Sequence, residues 1–150
     1  MYTRIFVAID SSDTARKALN EAIHLALALG ARLCIAHAED EAMLVQHGMG
    51  IGTFIDIDQV KNSIRTSGNQ LIEQAVATAV AAGLQAESRL LESSARRVAE
   101  LIADGARDWQ ADLIVVGTHG RRGVDRLLVG SVAENLTRLA RTSLLLVRHH

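Results

Sequence analysis

Two short runs, "RIFVAID" at residues 4–10 and "ADLIVVG" at 111–117, are apolar almost from end to end, and they constrain the fold more than any other feature. A strand with one wet side alternates apolar and polar residues, so a strand without that alternation is covered on both faces, as in parallel sheets flanked by helices. "RLCIAHA" (32–38) and "SLLLVR" (143–148) read as further strands, and "LQAESRLLE" (84–92) alternates as a more exposed one would. Between them the period becomes helical. Ala15, Ala18, Leu19, Ala22, Ile23, Ala26 and Leu27 precede a Gly30 placed as a C-cap, and a longer segment from Asp58 to Ala82 closes at Gly83. Val98, Leu101, Ile102, Ala106 and Trp109 mark a third helix, and Val132, Leu136, Leu139 and Ala140 a fourth, within 131–141. Strand and helix thus alternate, and right-handed crossovers make an open five-stranded parallel sheet with helices on both faces, ordered 3-2-1-4-5 or like its flavodoxin relative. Ligands in such sheets bind beyond the carboxyl ends of the strands where the winding reverses, here the loops that begin at Asp10 and Gly117.

Size and composition exclude several functions. A chain of 150 residues buries roughly 70% of its unfolded surface, so one domain spanning 1–150 is expected. Only Tyr2, Phe6, Phe54 and Trp109 are aromatic, which leaves little to stack against flavin or single-stranded bases. A net charge of -1 supplies no global field for nucleic acid or an anionic membrane, so any anion site is local. The lone Cys34 lies in an apolar run and reads as a buried structural thiol. The first ten residues carry one basic side chain and an apolar run of five, too short for a signal peptide, and a cytoplasmic protein without a membrane span is expected.

The stretch "GTHGRRGVDRLLVGS" (117–131) departs from this aliphatic background with four glycines, a histidine and three arginines. Glycines at 117, 120, 123 and 130 permit positive φ and remove Cβ atoms, so backbone N–H groups can converge on an anion. The stretch feeds a helix beginning near Ser131, whose unsatisfied N–H donors and partial positive charge favour phosphate. A structural alternative stands beside this: Ser131 and Glu134 have the spacing of a capping box. Asp10 can likewise bond a ribose or base, or simply hold the turn before the first helix. His119 is either a base or a backbone-bonded or solvated turn residue, and His24 and His37 read as structural. The segment 39–57, with Met43, Met49 and Gly48, Gly50 and Gly52, is a surface loop or a lid.

Gly117, Gly120, Gly130 and Ser131 fill a pattern of Gly, two residues, Gly, nine residues, Gly, Ser, which resembles the nucleotide signature of the universal stress protein family. "VAIDSSDTA", "HAED" and "LLLVR" resemble the family's first strand and helix start, second strand end and final strand, so the resemblance spans the chain. It implies an α/β fold of the adenine-nucleotide alpha hydrolase-like type that binds ATP, or else ADP or AMP, with magnesium held mainly by the phosphates. Asp10 would contact the nucleoside, backbone near Ala38 the adenine, and Gly117 the ribose. Gly120, Gly130, Ser131 and the N–H of Val132 would cradle the phosphates. It also implies a homodimer through Leu144, Leu145, Leu146 and Val147, a nucleotide-dependent switch or sensor in a stress response, and a protein partner the sequence does not identify. Ser143 departs from the family, which commonly has proline there.

An enzyme on the same fold is the principal alternative. No Walker lysine is present, since Lys17 and Lys61 are the only lysines and neither lies in a phosphate-loop context, so slow ATP hydrolysis at most is expected. "DSSDTA" lacks the serine-glycine-glycine loop or HIGH-type motif of pyrophosphatases and nucleotidyl transferases. Leu91 and Arg148 stand where a receiver domain needs aspartate and lysine. A dimeric interaction module without nucleotide is the remaining alternative.

Overall fold

A computed structural model describes residues 1–40, 56–92, 95–119 and 129–149. Five parallel strands, β1 (Arg4–Ala8), β2 (Arg32–Ala38), β3 (Ala86–Leu91), β4 (Leu113–Gly117) and β5 (Ser143–Val147), lie in the order β3-β2-β1-β4-β5. Among the described residues four helices flank the sheet: α1 (Asp13–Leu29), α2 (Ile57–Ala81), α3 (Val98–Asp108) and α4 (Ser131–Leu139).

The pleat of the central strands explains their unbroken apolar character. Ile5 and Val7 of β1, Leu33 and Ile35 of β2, and Leu113 and Val115 of β4 face a core shared with α1 and α2. Their neighbours Phe6, Cys34, Ala36, Ile114 and Val116 face the opposite core, built with α3, Trp109 and Leu136 of α4. Edge strand β3 departs from this rule, with Glu87, Ser88 and Arg89 exposed. Edge strand β5 is mostly half-buried leucine.

The local signals behave largely as their chemistry requires. Gly30 takes the left-handed φ of +64° at the end of α1, where its N–H reaches the Ala26 carbonyl. Ser12 caps α1, its Oγ accepting from the Ala15 N–H at 3.1 Å, and Asp56 caps α2. At the amino ends of the strands, Asp112 accepts from the N–H and hydroxyl of Thr3 and from the Arg4 N–H. There the Arg4 guanidinium lies 4.1 Å from the Trp109 ring centre and donates to the Trp109 carbonyl. None of the helices among the described residues is long and apolar enough to cross a membrane.

Candidate functional site

Every helix in a parallel sheet runs back against its strands, so strand carboxyl ends and helix amino ends gather at one edge. A cleft of about 580 Å³ opens there, where the winding reverses between β1 and β4. Its floor is the ends of β1, β2 and β4; its walls are the first turns of α3 and α4. Asp10, Ala38, Gly117, Gly130, Ser131 and Val132 all line it. Gly120 lies outside the described residues, as do Gly123, the three arginines of the loop and residues 41–55 of the long 39–57 segment.

Asp10 lies two residues beyond the end of β1, and its Oδ1 accepts from the Ser12 N–H at 2.8 Å. The carboxylate therefore holds the turn that presents Ser12 as the cap of α1, while remaining half-buried at the cleft. His37 donates from Nδ1 to the Ile9 carbonyl at 2.8 Å, since a carbonyl only accepts, and so ties the end of β2 to the end of β1. Ala38, the last residue of β2, is buried.

The glycines act differently from the expectation of left-handed backbone. Neither Gly117 nor Gly130 has positive φ; among the described glycines only Gly30 and Gly83 do. What both positions exclude is a Cβ. At Gly117 it would stand 2.7 Å from Thr14 Cγ2 and 3.2 Å from the Thr14 carbonyl carbon, so the bare backbone lets the first turn of α1 close onto β4. At Gly130 it would stand 2.8 Å from the Thr118 carbonyl oxygen, which accepts a hydrogen bond from the Gly130 N–H.

The capping box does not form. Gly130, not Ser131, is the N-cap of α4, with φ -59° and ψ 157° and no side-chain cap. Glu134 instead pairs with Arg138 one turn on, at 3.0 Å, the ordinary i to i+4 geometry. Ser131 is exposed at the first helical position and lines the cleft. Val132 follows it, half-buried.

Thr118, 2% exposed, joins three elements. Its N–H donates to the Val147 carbonyl of β5, its carbonyl accepts from Gly130, and its Oγ1 lies 3.1 Å from Nδ1 of His119. The Nε2 of His119 is shielded from solvent and has no hydrogen-bond partner among the described residues. Lys17, one of the two lysines, donates to the His149 carbonyl from α1.

The cleft also holds residues that motif reasoning missed. Arg97, Val98, Ala99 and Ile102 line it from α3, with Asp40, Thr118 and Asn135. Arg97 is the N-cap residue of α3 and makes no side-chain cap. Strand parallelism alone was signal enough for the α3 residues: a helix leading from β3 to β4 must start at the same edge as α1 and α4. Cys34 lies in the core beneath α3, outside the cleft lining, and burial pushes its thiol up to about 11. The described residues contain no group of three His, Cys, Asp or Glu placed to hold a metal.

Fold and cleft together define an open parallel α/β protein with a ligand-sized site at its switch point. The model of the universal stress protein family matches residues 1–148. A universal stress protein of Bacillus subtilis is 32% identical across 99% of this chain and 100% of its own length. The crystal structure of a family protein from Burkholderia pseudomallei is 33% identical, with a TM-score of 0.77 over 97% of this chain and 96% of that one. A universal stress protein crystallised in complex with cAMP is 28% identical, with a TM-score of 0.69 over 97% of each chain. This chain belongs to the universal stress protein family.

Proposed function

We propose that the protein binds an adenine nucleotide in this cleft, ATP with magnesium carried mainly by the phosphates, and serves as a nucleotide-dependent switch in a stress response. The observation that carries the reading is the side-chain-uncapped N-terminus of α4, which opens into a ligand-sized cleft at the winding reversal. The first N–H groups of a helix have no intrahelical partner, and with the helix dipole they favour an anion there. The phosphates lie along Gly130, Ser131 and the Val132 N–H, with Gly120 completing the cradle. Gly117 meets the ribose, Asp10 the nucleoside hydroxyls, and backbone at Ala38 the adenine. The family protein in complex with cAMP supports an adenine nucleotide as the ligand class.

Turnover is slow in this reading, because no lysine stands at the phosphate cradle among the described residues, Lys17 donating instead to the His149 carbonyl away from it. ATP consumption at about 1 per second or faster would contradict it. A homodimer forms through β5, whose half-buried Leu144, Leu145 and Leu146 lie on an edge strand that pairing would cover.

The test is calorimetric titration of nucleotide-free protein with ATP and magnesium, alongside Ser131→Glu. A carboxylate at the first helical position favours the helix by about 0.3 to 1 kcal/mol yet repels phosphate. The variant is expected to fold at least as stably as the parent and to lose ATP affinity about tenfold or more. Equal affinity in the two proteins would contradict the phosphate placement.

A further inference from the structure

We propose that His119 is a fixed hydrogen-bond donor to the phosphate of the bound nucleotide, with Thr118 setting its tautomer; this role rests on the nucleotide reading above. The Thr118 hydroxyl is buried and must place its proton on an acceptor, and its one described partner is His119 Nδ1, at 3.1 Å. Nδ1 therefore accepts, and the ring proton sits on Nε2. That Nε2–H is shielded from solvent without a partner among the described residues, a donor whose desolvation none of them offsets. It needs an acceptor. Position selects which: the His119 Cα lies 3.5 Å from where a Cβ would stand on Gly130, the residue that opens α4. His119 and the α4 N-terminus thus flank one corner of the cleft, and an anionic oxygen held by the helix is the acceptor within that corner.

The same assignment removes His119 from the role of general base. Its Nε2 carries a proton and its Nδ1 is occupied by Thr118, so neither nitrogen is available to take a proton from water. Thr118 is a positioning residue, acting through the imidazole.

The experiment combines 15N NMR of the histidine rings with affinity measurements on ATP and on adenosine, which lacks phosphate. In nucleotide-free protein at neutral pH, His119 is expected to show a protonated Nε2 and an unprotonated Nδ1, and Thr118→Val to mix the two tautomers. A wild-type ring protonated on Nδ1 would overturn the assignment whatever the variants do. His119→Ala is expected to weaken ATP about tenfold, equivalent to about 1.4 kcal/mol, and to leave adenosine unchanged, with His119→Gln recovering part of the loss through its amide donor. ATP binding unchanged in His119→Ala, or equal losses for ATP and adenosine, would overturn the phosphate contact alone. A wild-type protein that binds neither ligand would overturn the functional reading and this role with it.

Discussion

Replacing Gly117 by alanine tests why the end of β4 is glycine. The added Cβ would stand 2.7 Å from Thr14 Cγ2, and 3.2 Å from both the Cβ and the carbonyl carbon of Thr14. Comfortable carbon contacts lie near about 3.5 to 4.0 Å. Rotating the Thr14 side chain relieves only the first contact; the other two require the first turn of α1 to lift off the sheet. Thr14 is 5% exposed, so the strain has no free space to enter. Overpacking of this kind costs about 1 to 3 kcal/mol, which lowers the midpoint of a domain this size by about 3 to 10 °C. The assay is urea unfolding of nucleotide-free protein in a double-mutant cycle with Thr14→Ser, which deletes Cγ2. The double variant is expected to be more stable than the sum of the single losses by at least about 0.5 kcal/mol. A Gly117→Ala protein as stable as the parent, or strictly additive effects, would refute the packing explanation.

Other outcomes follow from single features. Burial holds the Cys34 thiol near a pKa of about 11 against an ordinary 9.0, so its neutral form favours the folded state. That contribution is complete below pH 9 and is lost as the pH climbs from 9 towards 11, on the order of 3 kcal/mol in all; alkaline unfolding of Cys34→Ala should lack this limb. Native protein should resist thiol reagents at pH 8 and react only on unfolding; rapid native labelling would contradict the burial. Asp112, despite some desolvation that opposes it, is held below its usual pKa by the N–H groups of Thr3 and Arg4 and the Thr3 hydroxyl. Its support is present above the ordinary aspartate pKa and fades as the pH falls below it, so Asp112→Asn should flatten the acid limb of stability. Sedimentation at micromolar concentration should give twice 16.2 kDa, and a monomer would contradict pairing through β5.

The strands were legible because burial leaves a mark on composition. "FVA" and "LIVV" carry no polar residue, and the structure covers both faces of β1 and β4. Strand ends were less legible: "RIFVAID" promised a strand to Asp10, but β1 ends at Ala8, with one further bond from the Ile9 N–H to the Ala36 carbonyl of β2. The helix boundaries followed from Gly30 and Gly83, both with positive φ. The site was legible as positions more than as reasons. Gly117 and Gly130 do lie at the cleft, but what makes them glycine is contact with Thr14 and with the Thr118 carbonyl, and no local pattern at Gly117 records a partner about a hundred residues away. Ser131 and Glu134 matched a capping box in spacing, yet a competing Arg138 takes the carboxylate. Arg97 carries no motif at all, and only the topology brings it to the ligand edge.

The central claim is that the cleft takes an adenine nucleotide, and thermal unfolding of nucleotide-free protein with and without ATP and magnesium tests it most directly. Ligand at 100 times its dissociation constant adds about 2.7 kcal/mol, a rise of about 5 to 10 °C for a domain of this size. The account predicts that rise in the parent and its loss in Ser131→Glu, with the unliganded midpoint of the variant undiminished. No rise at millimolar ATP would contradict the account and leave the α4 N-terminus a solvated helix end.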